Sequence, residues 1–172
     1  LLKSSVYGLT ELNRKLIQKA SLVSVPGCYP TASILGLLPL LESSLEINSI
    51  IVDAKSGISG AGRAKVESTL SEEMVDDFIA YAVEGHRHLP EIKQIVEQVC
   101  GKEVHINFLP HLIPTMTGIF ASIYVQVNDL VEHLDLESIF TSYYKDSSFV
   151  EVLEDEKLPS IKTVRGTNNC NI

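Results

Sequence analysis

The sequence contains little that suits a membrane, a nucleic acid or a disulfide framework. No apolar run approaches the ~18–20 residues that a membrane-spanning helix needs, and the longest, 34–41, is interrupted by a glycine and a proline. Lysine and arginine form no cluster and the formal net charge is −8, so we expect no nucleic-acid partner. The three cysteines, at positions 28, 100 and 170, are too far apart for a Cys-x-x-Cys metal site and favour a reducing, cytoplasmic compartment.

The composition that remains is that of an ordinary globular domain. The chain has 172 residues, of which 45% are hydrophobic and 21% charged, which is enough to bury a core. It starts at Leu1, with neither an initiating methionine nor a signal-peptide pattern. We therefore expect a fragment of a longer protein.

Hydrophobic periodicity and capping signals predict helices mixed with strands. Thr10 and Ser71 are the expected N-caps of two helices. We expect helices at Thr10–Ala20, Thr31–Leu41, Ser71–Val83, Pro90–Cys100 and Leu134–Tyr144. We expect strands at Leu22–Val25, Asn48–Ala54, Val104–Leu109, Gly118–Val127, Phe149–Leu153 and Ile161–Val164. Because the two kinds of element do not alternate regularly, we predict an α+β domain whose mixed, largely antiparallel sheet has helices on one face.

Cys28 lies in a tight turn between a predicted strand and a predicted helix. Backbone N–H groups at a helix N-terminus favour a thiolate, which is the nucleophilic form of cysteine. Gly27 allows a sharp turn and leaves one side of the sulfur open. The alternative is a buried structural cysteine, since free cysteine is among the most buried residue types. We expect Cys100 to be such a core residue, and Cys170 is undecided.

A nucleophilic cysteine needs an acid or base nearby, and His86 and His88 are the candidates. They flank Arg87 just before a helix that starts with a proline. The competing interpretations are a solvated loop and a metal site, for which no third ligand occurs at local spacing. His111, which precedes a long strand, is a further residue placed to reach a pocket.

A glycine-rich loop, 55–63, follows a predicted strand and reads KSGISGAGR. Its N–H groups, hydroxyls and guanidinium suit an anion. It lacks the Gly-Lys-Ser/Thr ending of a P-loop and the Gly-x-Gly-x-x-Gly dinucleotide fingerprint. On its own this loop is a weak signal.

Six segments taken together resemble the N-acetyl-gamma-glutamyl-phosphate reductase family of arginine biosynthesis. They occur in the family's order and span nearly the whole chain: 7–14 (YGLTELNR), 26–31 (PGCYPT), 55–63 (KSGISGAGR), 86–92 (HRHLPEI), 110–114 (PHLIP) and 166–170 (GTNNC). The combination of GCYPT with SGISGAGR is specific.

The resemblance implies a fold like the C-terminal domain of glyceraldehyde-3-phosphate dehydrogenase. Residues 1–172 would be the catalytic and oligomerisation domain, without the NADPH-binding Rossmann domain. The family reduces N-acetyl-L-glutamyl 5-phosphate, a small acyl phosphate, to N-acetyl-L-glutamate 5-semialdehyde through a cysteine thioester. We accordingly expect NADPH as the cofactor, a homo-oligomer (dimer or tetramer), and neither a membrane nor a nucleic-acid partner.

The resemblance also assigns roles to individual residues. Cys28 is the expected nucleophile, and His88, followed by His86, is the expected general acid/base. The candidates for binding substrate carboxylate or phosphate are Ser56, Arg63 and Arg87, to which we add His111. The candidates for contacting the nicotinamide end of the cofactor are Ser59, Gly60 and Asn168.

One departure and two alternatives accompany this assignment. The family usually has an arginine before the glycine that corresponds to Gly118, where this sequence has Thr117. A sister reductase, such as aspartate-semialdehyde dehydrogenase or a lysine-pathway homologue, is the nearest enzyme alternative, although Tyr29, Pro30 and the paired histidines favour the first assignment. The other alternative is an isolated, non-catalytic assembly domain that pairs through the long strand 118–127.

Overall fold

A four-stranded mixed sheet organises the fold in this computed structural model, which describes residues 4–61, 77–128, 134–154 and 156–172. The strands are β1 (Val6–Tyr7), β2 (Val23–Ser24), β3 (Ile47–Ser56), β4 (Ile79–Ala80), β5 (His105–Leu112), β6 (Ile119–Val127), β7 (Val150–Glu151) and β8 (Cys170–Asn171). The helices are α1 (Thr10–Ile17), α2 (Cys28–Leu41), α3 (Leu89–Cys100), α4 (Leu136–Tyr144) and α5 (Ile161–Val164). Within the described ranges, no helix has the length and apolar character to span a bilayer.

The order of strands in the main sheet is β4-β5-β3-β6. The central strand β3 runs parallel to β5 and antiparallel to β6, and β4 pairs antiparallel with β5. The strand pairs β1–β2 and β7–β8 form two further small parallel sheets. The predicted α+β class with a mixed, largely antiparallel sheet is therefore confirmed.

The helices α2 and α3 cover one face of the main sheet. Alternate residues of β3, including Ile50, Val52 and Ala54, are buried in a core shared with both helices. The neighbouring residue Ile51 is 44% exposed, and its cross-strand partner Tyr124 is 62% exposed. We call this second, uncovered side the open face of the sheet.

Helix α2 is apolar on nearly every side because it is buried on two sides. Leu37 and Leu41 pack in the core against the sheet. Ile34, Leu35 and Leu38 pack in a second cluster that also contains residues of α3 and α4. Each fully buried leucine or isoleucine contributes about 1.5–3 kcal/mol, so this packing fixes the helix, and with it the Cys28 end, in the fold.

Three local predictions are wrong in the described residues. Thr10 is the first residue of α1 but not its cap, since Leu9 occupies that position and no side chain caps the helix. The helix predicted at Ser71–Val83 lies partly outside the described residues, and where it is described the chain forms β4 against Leu112 and His111. The strand predicted at Ile161–Val164 is the helix α5, because Ser160 Oγ accepts the N–H of Lys162 at 3.3 Å and caps a helical turn.

Candidate active site

Cys28 is the first residue of α2, and its side chain is exposed. Gly27 precedes the helix in an extended conformation and occupies the N-cap position. The sulfur therefore lies at the positive end of a 14-residue helix dipole. Cys100 and Cys170 are both half-buried, and burial raises the pKa of each of these thiols, so Cys28 is the thiol best placed to react.

Glu91, in the first turn of α3, fastens the turn that carries Cys28. Its Oε1 accepts the backbone N–H of Gly27 at 2.9 Å and the hydroxyl of Tyr7 at 2.9 Å. The first of these bonds satisfies a donor just before α2, where no intrahelical partner exists. The N-termini of α2 and α3 are thereby joined, which brings the start of α3 beside Gly27, the residue before Cys28.

The imidazole of His88 packs directly against Gly27. A methyl group on Gly27 would lie 2.6 Å from His88 Nε2, 2.8 Å from its Cδ2 and 3.1 Å from Glu91 Oε2. The backbone of Gly27 is at φ −67°, which any residue can adopt, so it is the imidazole and not the backbone conformation that requires glycine here. The glycine before Cys28 therefore makes room for the His88 ring.

His88 is only 8% exposed. Burial lowers its pKa; the Glu91 carboxylate opposes this shift and Arg87 adds to it. The imidazole is therefore mostly neutral near pH 7 and able to accept a proton. Its Nδ1 is buried without a hydrogen-bond partner among the described residues.

His86 lies within a cluster of aromatic rings. Its ring centroid is 5.6 Å from that of Tyr29, 5.5 Å from Tyr81, 5.4 Å from Phe108 and 4.8 Å from His88. The Tyr81 hydroxyl donates to the Tyr29 hydroxyl at 3.1 Å. Tyr29, which follows Cys28 in the chain, packs its ring against both His86 and His88.

A cavity of about 1060 Å³ opens beside Cys28 between α2, β6 and the C-terminal segment. Its walls are mainly apolar side chains. The predicted site residues that line it are Cys28, Ser56, Ser59, Gly60 and Asn168. The structure therefore brings Cys28 together with all three residues expected near the nicotinamide. Asn168 is exposed, and its amide can both donate to and accept from a ligand carboxamide.

The remaining predicted residues fall in three places. Arg87 is exposed between the two histidines, and its charge lowers the pKa of both. Arg63 lies outside the described residues. His111 does not join the site: its backbone oxygen accepts the Tyr29 hydroxyl at 3.2 Å, but its ring points to the open face, where Nδ1 is 3.3 Å from Asp53 Oδ1.

The glycine-rich loop uses its backbone donors internally, contrary to the anion-binding interpretation. The N–H groups of Gly57, Ile58 and Ser59 each donate at 2.9 Å to the carbonyls of the facing loop, at Gly118, Thr115 and Met116 respectively. Gly60 N–H donates to Gly57 O at 3.1 Å. These four N–H groups are therefore not free to bind an anion, and Ser59 and Gly60 form part of the cavity wall.

Glu91 and Tyr7 are site residues that the sequence analysis missed. They are 84 residues apart in the chain, and neither lies in a local pattern that indicates the other. The available signals were their positions in two of the segments that carry the resemblance, 7–14 and 86–92, and an acidic residue in the first turn of a helix, which is usually explained by the helix dipole alone.

Comparison with known proteins identifies the family. Residues 28–172 match the family model described as semialdehyde dehydrogenase, dimerisation domain. Proteins named N-acetyl-gamma-glutamyl-phosphate reductase from Pseudomonas putida and Pseudomonas aeruginosa are each 47% identical, and one from Pseudomonas fluorescens is 46% identical. Each match covers 100% of this chain and 50% of the relative, so the chain spans about half the length of the curated relatives it matches.

Solved structures share the fold at low sequence identity. A probable aspartate-semialdehyde dehydrogenase from Pseudomonas aeruginosa superposes with a TM-score of 0.71 at 18% identity, over 97% of this chain and 56% of that chain. Aspartate semialdehyde dehydrogenase II from Vibrio cholerae gives a TM-score of 0.69 at 14% identity, over 95% and 55% respectively. The chain belongs to the semialdehyde dehydrogenase dimerisation-domain family, and along its whole length it is similar to N-acetyl-gamma-glutamyl-phosphate reductases.

Proposed function

We propose that this chain is the catalytic domain of an N-acetyl-gamma-glutamyl-phosphate reductase. The enzyme would reduce N-acetyl-L-glutamyl 5-phosphate to N-acetyl-L-glutamate 5-semialdehyde with NADPH in arginine biosynthesis, in the cytoplasm. The observation that carries the proposal is the exposed Cys28 at the start of α2, with the His88 imidazole packed on the adjacent Gly27. The names of the relatives supply the choice of substrate.

The whole of 1–172 would act as the catalytic and oligomerisation domain of a longer chain. The coverage of only half of each relative supports this arrangement, with the NADPH-binding Rossmann domain in the other half. The part of the cofactor that reaches this domain fits the cavity beside Cys28, which is large enough for a nicotinamide ring and has the Asn168 amide and Ser59 in its wall.

In the first chemical step the Cys28 thiolate attacks the acyl carbon. A carbon–sulfur bond forms, the carbon–oxygen bond to phosphate breaks, and a thioester remains on Cys28. NADPH, when bound, supplies the hydride that reduces this thioester. His88, protonated when it takes the proton of the Cys28 thiol, donates that proton to the oxyanion that hydride addition leaves, which gives the thiohemiacetal. It takes the proton back as the carbon–sulfur bond breaks, which releases the aldehyde and regenerates the thiolate.

The substrate's carboxylate and phosphate require cationic and hydroxyl partners. Arg87, Arg63 and Ser56 are our candidates, because a guanidinium binds planar anions through two parallel hydrogen bonds. Thr117 leaves no arginine just before Gly118, but Arg165 Nη2 donates to Thr115 Oγ1 at 3.2 Å. A guanidinium therefore reaches the same loop from α5.

The substrate assignment is tested by comparing two aldehydes. The full-length protein should oxidise N-acetyl-L-glutamate 5-semialdehyde in the presence of phosphate and NADP, in the reverse of the proposed reaction. We expect its kcat/KM to exceed that for aspartate semialdehyde by at least about 10²-fold, since a site built to hydrogen-bond one substrate discriminates strongly against an analogue that lacks the matching groups. A preference for aspartate semialdehyde would contradict this assignment and identify the protein as an aspartate-semialdehyde dehydrogenase.

Replacing Gly27 by alanine is expected to lower kcat/KM about 10²-fold, because the new methyl group collides with the His88 ring and displaces it from Cys28. Gly85→Ala is the matched control in the same region, since a methyl group there has nothing within 4 Å and should leave the rate unchanged. Rates and thermal melting should be measured for both variants. Equal activity of the two would mean that the His88 contact has no catalytic consequence.

We propose that the open face pairs with a second copy of the chain. Ile51 and Tyr124 are exposed cross-strand neighbours in the middle of this face, which leaves an exposed apolar patch there. Sedimentation at micromolar concentration should give a dimer or larger, and Tyr124→Glu should shift it towards monomer. Leu158→Glu, at an exposed apolar residue away from the sheet, is the control. A monomeric wild-type protein would contradict the proposal.

A further inference from the structure

We propose that His86 is a positioning residue whose Nδ1 holds the backbone of His88, and that it transfers no proton in the reaction. The inference deepens the proposed function and rests on it, since it separates the roles of two histidines that are equivalent candidates by type and spacing. It follows from the hydrogen bond and the ring contacts of His86 and from the burial of His88.

The hydrogen bond defines what His86 can do. Its Nδ1 accepts the backbone N–H of His88 at 3.1 Å. His88 is the N-cap residue of α3, at a helix end where backbone donors have no intrahelical partner. A side chain that accepts an N–H two residues further on acts as an aspartate or asparagine does at a turn. His86 therefore fixes the backbone from which the His88 imidazole projects.

The same bond fixes the protonation state of His86. A neutral imidazole that accepts at Nδ1 has its proton on Nε2. Proton uptake would place a second N–H at Nδ1, facing the N–H of His88, and the bond would be lost. A histidine that must remain an acceptor to keep its neighbour in place is unsuited to exchange protons with substrate at that nitrogen.

The ring contacts favour the same neutral form. The edges and faces of Tyr29, Tyr81 and Phe108 surround the His86 ring. Burial lowers the pKa of His86, and the charges of His88 and Arg87 lower it further. Tyr81 N–H donates to Pro110 O at 3.1 Å, and the Tyr29 hydroxyl donates to the backbone oxygen of His111. The two tyrosines that pack against His86 are thus attached to β5.

His88 has the opposite character. Its ring packs on Gly27, the residue before the nucleophile. The carboxylate of Glu91 raises its pKa against the effect of burial, which keeps the cationic form accessible. His88 therefore combines proximity to Cys28 with a titratable nitrogen, whereas His86 combines a fixed tautomer with a structural bond.

Substitutions that separate the acceptor from the imidazole test the inference. In His86→Asn the side-chain oxygen is as many bonds from Cα as Nδ1 is in histidine, so it can accept the His88 N–H. In His86→Ala no acceptor remains. With the full-length protein in the phosphate-dependent assay, we expect His86→Ala to lose about 10²-fold in kcat/KM. We expect His86→Asn to recover to within about threefold of wild type, with an unchanged pH profile.

The possible outcomes distinguish the inference from the proposed function. If His86→Asn is as inactive as His86→Ala, or if both retain wild-type activity, His86 is not a positioning residue of this kind. If the wild-type protein oxidises neither semialdehyde, the proposed function fails instead. A readout that does not depend on activity is nitrogen-15 NMR of the imidazoles: we expect His86 as the neutral Nε2–H tautomer, and an Nδ1–H tautomer or an imidazolium at pH 7 would overturn the inference.

Discussion

Replacing Cys28 by serine is expected to lower kcat/KM at least about 10³-fold, because a hydroxyl at neutral pH is far less ionised and less nucleophilic than a thiol. The folded structure should persist, since Cys28 is exposed at the start of α2 and serine is tolerated at helix N-termini. The measurement is the initial rate of phosphate-dependent semialdehyde oxidation, together with thermal melting of both proteins.

Thiol labelling provides the control for this substitution. Iodoacetamide should modify Cys28 faster than Cys100 near neutral pH, because Cys28 is exposed while burial raises the pKa of the Cys100 thiol. The fast phase should disappear in Cys28→Ser and persist in Cys100→Ser. Equal slow rates at the two cysteines, or a serine variant with a tenth of wild-type activity, would contradict the nucleophile assignment.

The turn that presents Cys28 could be predicted because its causes are local. A strand that ends at a proline, a glycine and a following apolar helix are all within 20 residues of one another, and the structure has each of them. The contact of Gly27 with Glu91, which is 64 residues away, cannot be predicted from a local pattern. That contact depends on how α2 and α3 pack over the sheet, which no spacing in the sequence specifies.

The placement of His111 shows how a strand boundary affects a site prediction. Proline has no N–H and usually ends an interior strand, so the sequence indicated an end at Leu109. In the structure β5 continues through Pro110 to Leu112. The proline is tolerated because its neighbour β4 pairs only with His111 and Leu112 and so requires no N–H from Pro110. The added residues keep the alternation of the strand, which puts His111 on the open face with Asp53.

The described part of the glycine-rich loop shows a related limit, since the N–H groups of 57–60 donate to carbonyls of this chain. Its composition correctly indicated close backbone approach, since a methyl group on Gly57 would lie 2.8 Å from Thr115 O. The approaching partner is another part of the same chain and not a phosphate. A glycine-rich composition predicts that another group approaches the backbone closely, but only the tertiary structure shows whether that group is a ligand or another part of the chain.

Replacing His88 by asparagine is expected to lower kcat by about 10²–10⁴-fold, because an amide can neither give nor take the thiohemiacetal proton at neutral pH. KM should change little, since the proposed substrate anions bind elsewhere. Asparagine retains the polarity and part of the volume of the ring, so the melting temperature should change little although kcat falls strongly. A variant with kcat within tenfold of wild type would show that His88 is not the general acid/base.

The titration of His88 tests the electrostatic basis of this role independently of turnover. In the Cys28→Ser background, where no thiolate contributes, the His88 ring should titrate below the ordinary histidine pKa of about 6.5, since burial is the largest influence and lowers it. Glu91→Gln removes the charge that raises this pKa, yet its amide oxygen can still accept from Gly27 and Tyr7, so the pKa should fall further. Because the folded-state pKa is depressed, protonation of His88 opposes folding, and the protein should lose stability as the pH falls through the unfolded-state value near 6.5. A pKa that rises in Glu91→Gln would show that Glu91 acts on His88 through geometry and not through charge.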